Sequence, residues 1–147
     1  MRPQSIQLFE KVFFAGFVIG LVNLFLSWNQ VNAMVDDPRL QAAGVADGIL
    51  IFGVVMGTLI PLLLWYFIAR RASNVAKWVF VVLTAIGVFG FVSSLADPAM
   101  PKGAILIGSA VATALNVFAA WLLFKPDTKA WLESKGQAGP ADPTTFD

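Results

Sequence analysis

The chain has 147 residues, enough for one domain, and it contains neither cysteine nor histidine. Hydrophobic residues make up 58% and charged residues 13%, which is too apolar and too weakly charged for an ordinary soluble domain. The net charge of +1 offers no electrostatic basis for binding nucleic acid. The absence of histidine and cysteine excludes a haem with a histidine ligand and a zinc site built from histidine or cysteine. It also excludes a serine nucleophile activated by histidine. We therefore expect no catalytic, cofactor-binding or metal-binding residues and no enzymatic activity.

Four long apolar segments run along the chain, over residues of about 12–28, 48–69, 78–96 and 103–124. None contains Asp, Glu, Lys or Arg, and each is close to the roughly 20 residues that cross a bilayer as a helix. Membrane-spanning strands would instead alternate polar and apolar residues over about ten positions. The sequence predicts an all-α, polytopic transmembrane four-helix bundle over residues 1–135, with the lipid bilayer as its main partner.

The segments between and after the spans are polar. Residues 29–47 are expected to form a loop, residues 70–77 a basic turn and residues 97–102 a turn. Asp127 is predicted to cap a short helix of about residues 128–135, which would place Trp131 and Leu132 on the membrane surface. Residues 136–147 are rich in Gly, Pro, Asp and Thr, and this composition predicts a disordered tail.

Lysine and arginine are distributed unequally over the two ends of the predicted bundle, eight against two. The positive-inside rule then places both termini in the cytoplasm. An alternative concerns the first span, because Val31-Asn32-Ala33 resembles a signal-peptidase site and cleavage there would leave three helices. Glu10 beside the apolar segment argues against cleavage.

The second and fourth spans share a pattern of small and polar residues. A shift of 55 positions pairs Gly48 with Gly103, Gly53 with Gly108 and Thr58 with Thr113. This predicts two tandem two-helix hairpins that run in the same sense. The alternative is that two membrane helices share glycines at helical spacing without any repeat, and the sequence leaves both open.

Small residues spaced four apart allow two helix backbones to approach closely. The candidate helix-packing residues are Gly16, Gly20, Gly53, Gly57, Gly108 and Ala112. Such residues serve either the packing of this bundle or a homo-oligomer or larger membrane complex, and both uses remain open.

A few polar side chains lie inside the spans, where an unpaired amide or hydroxyl costs free energy. The candidate intramembrane polar residues are Asn23, Thr58, Thr84, Thr113 and Asn116. By depth, Asn23 lies at about the level of Ser93 and Ser94, and Asn116 is expected to point into the bundle near Thr84. Pro61 is predicted to kink the second span, because it removes one backbone hydrogen bond. Interhelical hydrogen bonds and a ligand-contact site are the two readings of these residues.

The basic turn ARRASNVAKW at residues 69–78 and the segment LLFKPDTKAW at residues 122–131 carry a resemblance. With the four spans, they resemble small bacterial four-helix inner-membrane proteins whose biochemical role is uncharacterised, over roughly residues 5–135. The resemblance implies a multi-pass inner-membrane location and no functional residues.

Two functions of different class follow from these observations. The first is a non-catalytic accessory or scaffold protein, which an exposed Gly-x-x-x-Gly face would favour. The second is a small permeation or transport protein for a neutral or apolar solute. A water-accessible cavity that holds Thr58, Thr113 and Asn116 would favour this second function.

The predicted orientation can be tested with single cysteines at Ser73 and Ala42 and a membrane-impermeant thiol reagent. In intact cells we expect labelling at position 42 and none at position 73, because residues 70–77 are placed inside by the positive-inside rule. Labelling at position 73 alone would reverse the orientation, and permeabilised cells provide the control in which both positions react.

Overall fold

Helices account for 82% of the residues that the structure describes, which are residues 2–36, 38–97 and 102–137 of a computed structural model. Among these residues there is no β-strand. The helices are α1 (Gln4–Leu26), α2 (Trp28–Val35), α3 (Pro38–Ala42), α4 (Ala46–Ala69), α5 (Asn74–Ser94), α6 (Ala104–Leu122) and α7 (Pro126–Glu133). Residues 138–147 of the predicted tail lie outside the described residues.

The helices α1, α4, α5 and α6 are long and apolar enough to cross a membrane. Large apolar side chains on their outer surfaces are exposed in the isolated chain, as shown by Phe25 and Phe89, at 80% and 75%. Such a surface is compatible with lipid as the solvent and not with water. The prediction of an all-α bundle with four membrane-length helices is confirmed.

The first membrane-length helix begins at Gln4, eight residues before the apolar segment that starts near residue 12. Pro3 has extended backbone angles at the N-cap, and its carbonyl accepts a hydrogen bond from the Gln7 N–H at 3.2 Å. The carboxylate of Asp127 accepts hydrogen bonds from the Ser5 N–H at 3.4 Å and from Ser5 Oγ at 2.6 Å. The first turn of α1 is therefore capped by a residue far along the chain, which the local sequence does not show.

The segment expected to be a loop at residues 29–47 contains the short helices α2 and α3. Ser27 separates α1 from α2, and its hydroxyl donates to the Asn23 carbonyl at 2.7 Å. Val31 and Val35 of α2 face the space between the membrane-length helices. Partial burial of these two valines gives this polar segment an apolar face, which favours a helix over an irregular loop.

The short helix after the fourth span begins at Pro126, and Lys125 rather than Asp127 occupies its N-cap position. Trp131 and Leu132 are only 4% and 3% exposed, so the prediction that they lie on the membrane surface is wrong. They pack into the main apolar core of the bundle. Full burial against protein removes more apolar surface from water than a position at the membrane interface does.

The apolar core lies at one end of the bundle, where the start of α1, the α4–α5 turn and α7 meet; we call this the terminal end. The opposite end, with α2, α3 and residues 95–97 and 102–103, is the loop end. The core residues are Ile6, Phe9, Phe13, Leu64, Ile68, Ala69, Ala72, Ala76, Phe80, Ala119, Ala120, Leu122, Leu123, Trp131 and Leu132. Near the loop end, Ala46 is the only buried hydrophobic residue among those described.

The helices α1 and α6 form the closest pair of the bundle. A Cβ atom added at Gly16 would lie 3.3 Å from the Leu115 Cβ atom, and one added at Gly108 would collide with the Asn23 side chain. Added Cβ atoms at Gly20, Gly53 and Gly57 would meet nothing within 4 Å. Gly16 and Gly108 thus lie in this helix contact together with Ala112, whose carbonyl is 3.8 Å from the added Gly16 Cβ, whereas the other three face open space.

We expect Gly16→Leu and Gly20→Leu to differ, although both glycines belong to one Gly-x-x-x-Gly pair. Leucine at position 16 would separate α1 from α6 and should lower the free energy of unfolding by about 1–3 kcal/mol. Leucine at position 20 enters open space and should leave stability unchanged or higher, because leucine also favours the helix over glycine. Thermal unfolding in mild detergent measures both, and equal destabilisation would contradict the α1–α6 contact.

Candidate functional site

A cavity of about 610 Å³ lies among α1, α2, α4, α5 and α6, and we call it the chamber. At its terminal end it is bounded by Phe13, Leu64 and Phe80, which belong to the buried core. The Phe80 ring centroid lies 5.6 Å from that of Phe9 and 6.2 Å from that of Phe13. These three rings, the phenylalanine cluster, separate the chamber from the terminal end.

Small residues create this space. The small residues that line the chamber are Gly16, Gly20, Gly53, Gly57, Gly87 and Ala112. Where α1 meets α6, the missing side chain at Gly16 is filled by Leu115, but Gly20, Gly53, Gly57 and Gly87 have no neighbouring atom at the Cβ position. At these four glycines no described side chain of a neighbouring helix fills the space, and the chamber lies there.

The chamber is lined by polar groups that are all neutral, and they are Thr58, Thr84, Thr113 and Asn116. They lie near mid-span, since Thr58 and Asn116 are both about 18 Å along their helices from the loop end at 1.5 Å per residue. Within the part of the chain that the structure describes, none of these four side chains makes a hydrogen bond. The site therefore offers hydrogen-bonding capacity that the chain itself leaves unused.

Pro61 also lines the chamber, one turn from Gly57 on α4. The helix α4 continues through Pro61, from Ala46 to Ala69. Because proline has no N–H, the Gly57 carbonyl loses its usual helical donor. Gly57 and its neighbour Thr58 both line the chamber.

Asn23, unlike Asn116, forms hydrogen bonds with a neighbouring helix. Its Nδ2 atom donates to the Ile105 carbonyl at 2.9 Å and to Ser109 Oγ at 2.7 Å. Both partners are on α6, whereas the polar residues Ser93 and Ser94, at a similar depth, belong to α5. Depth along a helix does not say which neighbour is near, and the close approach at Gly108 brings α6 to Asn23. Asn23 is a helix–helix contact.

A second, more polar cavity of about 650 Å³ adjoins the chamber toward the loop end, and we call it the vestibule. Its polar lining residues are Asn23, Ser27, Gln30, Ser94, Asp97, Ser109, Thr113 and Asn116. Thr113 and Asn116 line both cavities, so they lie where the vestibule meets the chamber. Ser27, Gln30 and Ser109 were not predicted as intramembrane polar contacts, since hydroxyl and amide groups near the ends of the spans are the only signal that the sequence contains for them.

The terminal end holds a separate polar network. The Glu10 carboxylate forms salt bridges with the guanidinium groups of Arg2, at 2.9 Å, and of Arg70, at 3.7 Å. Thr128 Oγ1 donates to the Leu122 carbonyl at 3.0 Å and lies 2.6 Å from Ser5 Oγ. The hydrogen bond from Ser5 lowers the pKa of Asp127 below its ordinary value, although partial burial opposes this. These contacts join α1, α4, α6 and α7, and none of them faces the chamber.

Comparison of the chain with protein families, with curated proteins and with solved structures finds no match. Among the described residues, no group of three or more acidic residues is placed to hold a metal ion. The assignment of the chamber and the vestibule as the candidate site is therefore based on their geometry and lining residues alone.

Asn23→Leu and Asn116→Leu form a matched pair of substitutions. We expect Asn23→Leu to lower the free energy of unfolding by about 1–3 kcal/mol, because two hydrogen bonds are lost and leucine meets Gly108. Asn116→Leu should be neutral or stabilising, because it removes an unpaired amide from an apolar cavity. Unfolding by titration with a denaturing detergent measures both. A loss at position 116 as large as that at position 23 would show that Asn116 has a structural partner.

Proposed function

We propose that this chain is a multi-pass protein of the bacterial inner membrane that binds a neutral, mainly apolar solute in the chamber and mediates its permeation or transport. The single observation that carries the proposal is the chamber itself, in which four neutral polar side chains have no partner within the described chain. The likeness to small bacterial inner-membrane proteins supports the location. The proposal includes no enzymatic activity.

The chemistry of the lining selects the class of solute. None of the described residues that line the chamber is Asp, Glu, Lys or Arg, so a charged solute would lose its hydration without gaining a counter-charge. Most of the lining is aliphatic or aromatic, with hydroxyl and amide groups near mid-span. A solute with a large apolar body and one hydroxyl, carbonyl or amide group fits both features. A volume of about 610 Å³ also suits a small organic molecule.

A solute would enter the chamber from the loop end. The vestibule is lined by Gln30, Ser27 and Asp97, and it meets the chamber at Thr113 and Asn116. The phenylalanine cluster bounds the chamber at the other end. With both termini in the cytoplasm, as the distribution of lysine and arginine predicts, the vestibule faces the outer side of the membrane. In this conformation the chamber would then be open to the outer side of the membrane and closed toward the cytoplasm.

An accessory or scaffold role is the second candidate, and the glycines of α4 favour it. Gly53 and Gly57 are exposed, and no atom of the described chain lies within 4 Å of an added Cβ. A helix of a second copy or of a larger membrane complex would contact this Gly-x-x-x-Gly face in place of a solute.

Solute binding can be measured with a neutral apolar fluorophore such as Nile red, added to the purified protein in mild detergent. We expect saturable binding, and we expect Gly57→Phe to weaken it by about tenfold or more, because the phenyl group fills the chamber. Gly90→Phe is the matched control, since Gly90 is also an unfilled helical glycine but does not line the chamber. It should leave binding unchanged.

The same two variants separate the candidates. Under the scaffold role, Gly57→Phe would reduce the size of the complex in mild detergent, and mass spectrometry would find a bound protein that this variant loses. Under solute binding, the size stays constant and the saturable fluorescence is lost. Dye signals that do not saturate, or that change equally in both variants, would contradict the chamber as a binding site.

A further inference from the structure

The cations at the terminal end outnumber the acidic groups available to them. Three described acidic residues lie at this end: Glu10 forms salt bridges with Arg2 and Arg70, Asp127 accepts hydrogen bonds from Ser5, and Glu133 is exposed and forms no ion pair within the described chain. The described part of the chain shows no ion pair for Lys77 or Lys125. An exposed lysine without a partner is ordinary, because water solvates it. Lys77 is not exposed.

Lys77 is only 6% exposed, although it carries a charge. Its ammonium nitrogen lies 5.3 Å from the ring centroid of Trp78 and 5.1 Å from that of Phe124. These two rings meet edge to face at 5.7 Å, and they join the start of α5 to the segment after α6. Ring faces offset part of the cost of removing an ammonium group from water, but they supply no negative charge.

The surroundings of Lys77 add positive and not negative potential. The first turn of α5 contains no acidic residue, so the positive end of the helix dipole is not neutralised. Lys125 follows Phe124 directly, and its ammonium nitrogen lies 4.9 Å from the Trp121 ring centroid. Two ammonium groups are thus held against aromatic rings on adjoining helices, and neither forms an ion pair within the described residues.

The position of Lys77 and Lys125 relative to the membrane indicates which anion would pair with them. Trp78 and Trp121 are 52% and 54% exposed and lie at the terminal ends of α5 and α6. Tryptophans in that position mark the membrane interface, where phospholipid headgroups lie. An anion at this level is a headgroup phosphate, and the exposed apolar faces of Val79 and Val82 extend from it along α5 toward the bilayer centre.

We propose that Lys77 and Lys125, with Trp78, Trp121 and Phe124, form a binding site for the headgroup of an anionic phospholipid. The phosphate pairs with the two ammonium groups, and the acyl chains lie on the outer surface of α5 and α6. This site is separate from the chamber and does not depend on the proposed solute binding.

The test uses the full chain in mild detergent and native mass spectrometry with added phosphatidylglycerol or phosphatidylcholine. Unaltered protein should retain phosphatidylglycerol preferentially, and moderate salt should leave that preference in place, because a buried pair is poorly screened. Lys77→Gln should weaken phosphatidylglycerol binding by about tenfold, and the double variant with Lys125→Gln by more, since each interfacial lysine contributes about fivefold or more.

Lys129→Gln is the matched control, because Lys129 is an exposed lysine at the same end without a ring partner. We expect it to weaken binding by no more than about twofold in moderate salt. Lys77→Arg keeps the cation and its ring contacts, so it should restore binding if Lys77→Gln folds poorly.

Three results would overturn the proposal. One is an unchanged phosphatidylglycerol preference in the double variant. Another is an equal loss of phosphatidylglycerol binding in Lys77→Gln and Lys129→Gln, which would indicate that the lipid is attracted only by the general surface charge. The third is displacement of phosphatidylglycerol by inorganic phosphate at low millimolar concentration, which would identify a site for free phosphate and not for lipid.

Discussion

The aromatic contact between Phe9 of α1 and Phe80 of α5, with ring centroids 5.6 Å apart, lies within the one densely buried layer of the bundle. Lipid offers no hydrophobic drive for two helices to associate, so close packing and polar contacts must hold them together. Packing is concentrated at the terminal end, where α7 covers the core with Trp131 and Leu132. The hydrogen bonds from Ser5 to Asp127 connect α7 to the start of α1.

The helices α1 and α6 also meet at Gly16 and Gly108, whereas no described atom fills the Cβ positions of Gly53 and Gly57 on α4 or of Gly87 on α5. The chamber is the geometric result of that difference. Its volume is bounded at one end by the phenylalanine cluster and reached at the other through the vestibule. The same glycines that would allow close helix contact instead leave room for a ligand, because no side chain from a neighbouring helix enters the space.

The two proposed sites differ in chemistry because they differ in depth. The chamber lies near the middle of the spans, where a charge is costly, and its polar groups are neutral. Lys77 lies at the terminal end of α5, where an ammonium group can reach a headgroup phosphate. A solute in the chamber would meet hydroxyl and amide groups, whereas a lipid at the α5–α6 surface would meet two ammonium groups and aromatic rings. Occupancy of one site does not require the other.

The sequence by itself determined the fold class and the approximate spans, because hydrophobicity over about 20 residues is a local property of the chain. It also identified Thr58, Thr113 and Asn116 as polar residues within apolar segments. Only the tertiary structure decided which glycines pack and which remain unfilled, since Gly16 and Gly20 share one motif but meet different neighbours. Partners far apart in the chain, such as Asp127 with Ser5 and Asn23 with Ser109, depend on how the helices are placed around one another. Sequence spacing along one helix carries no information about that placement.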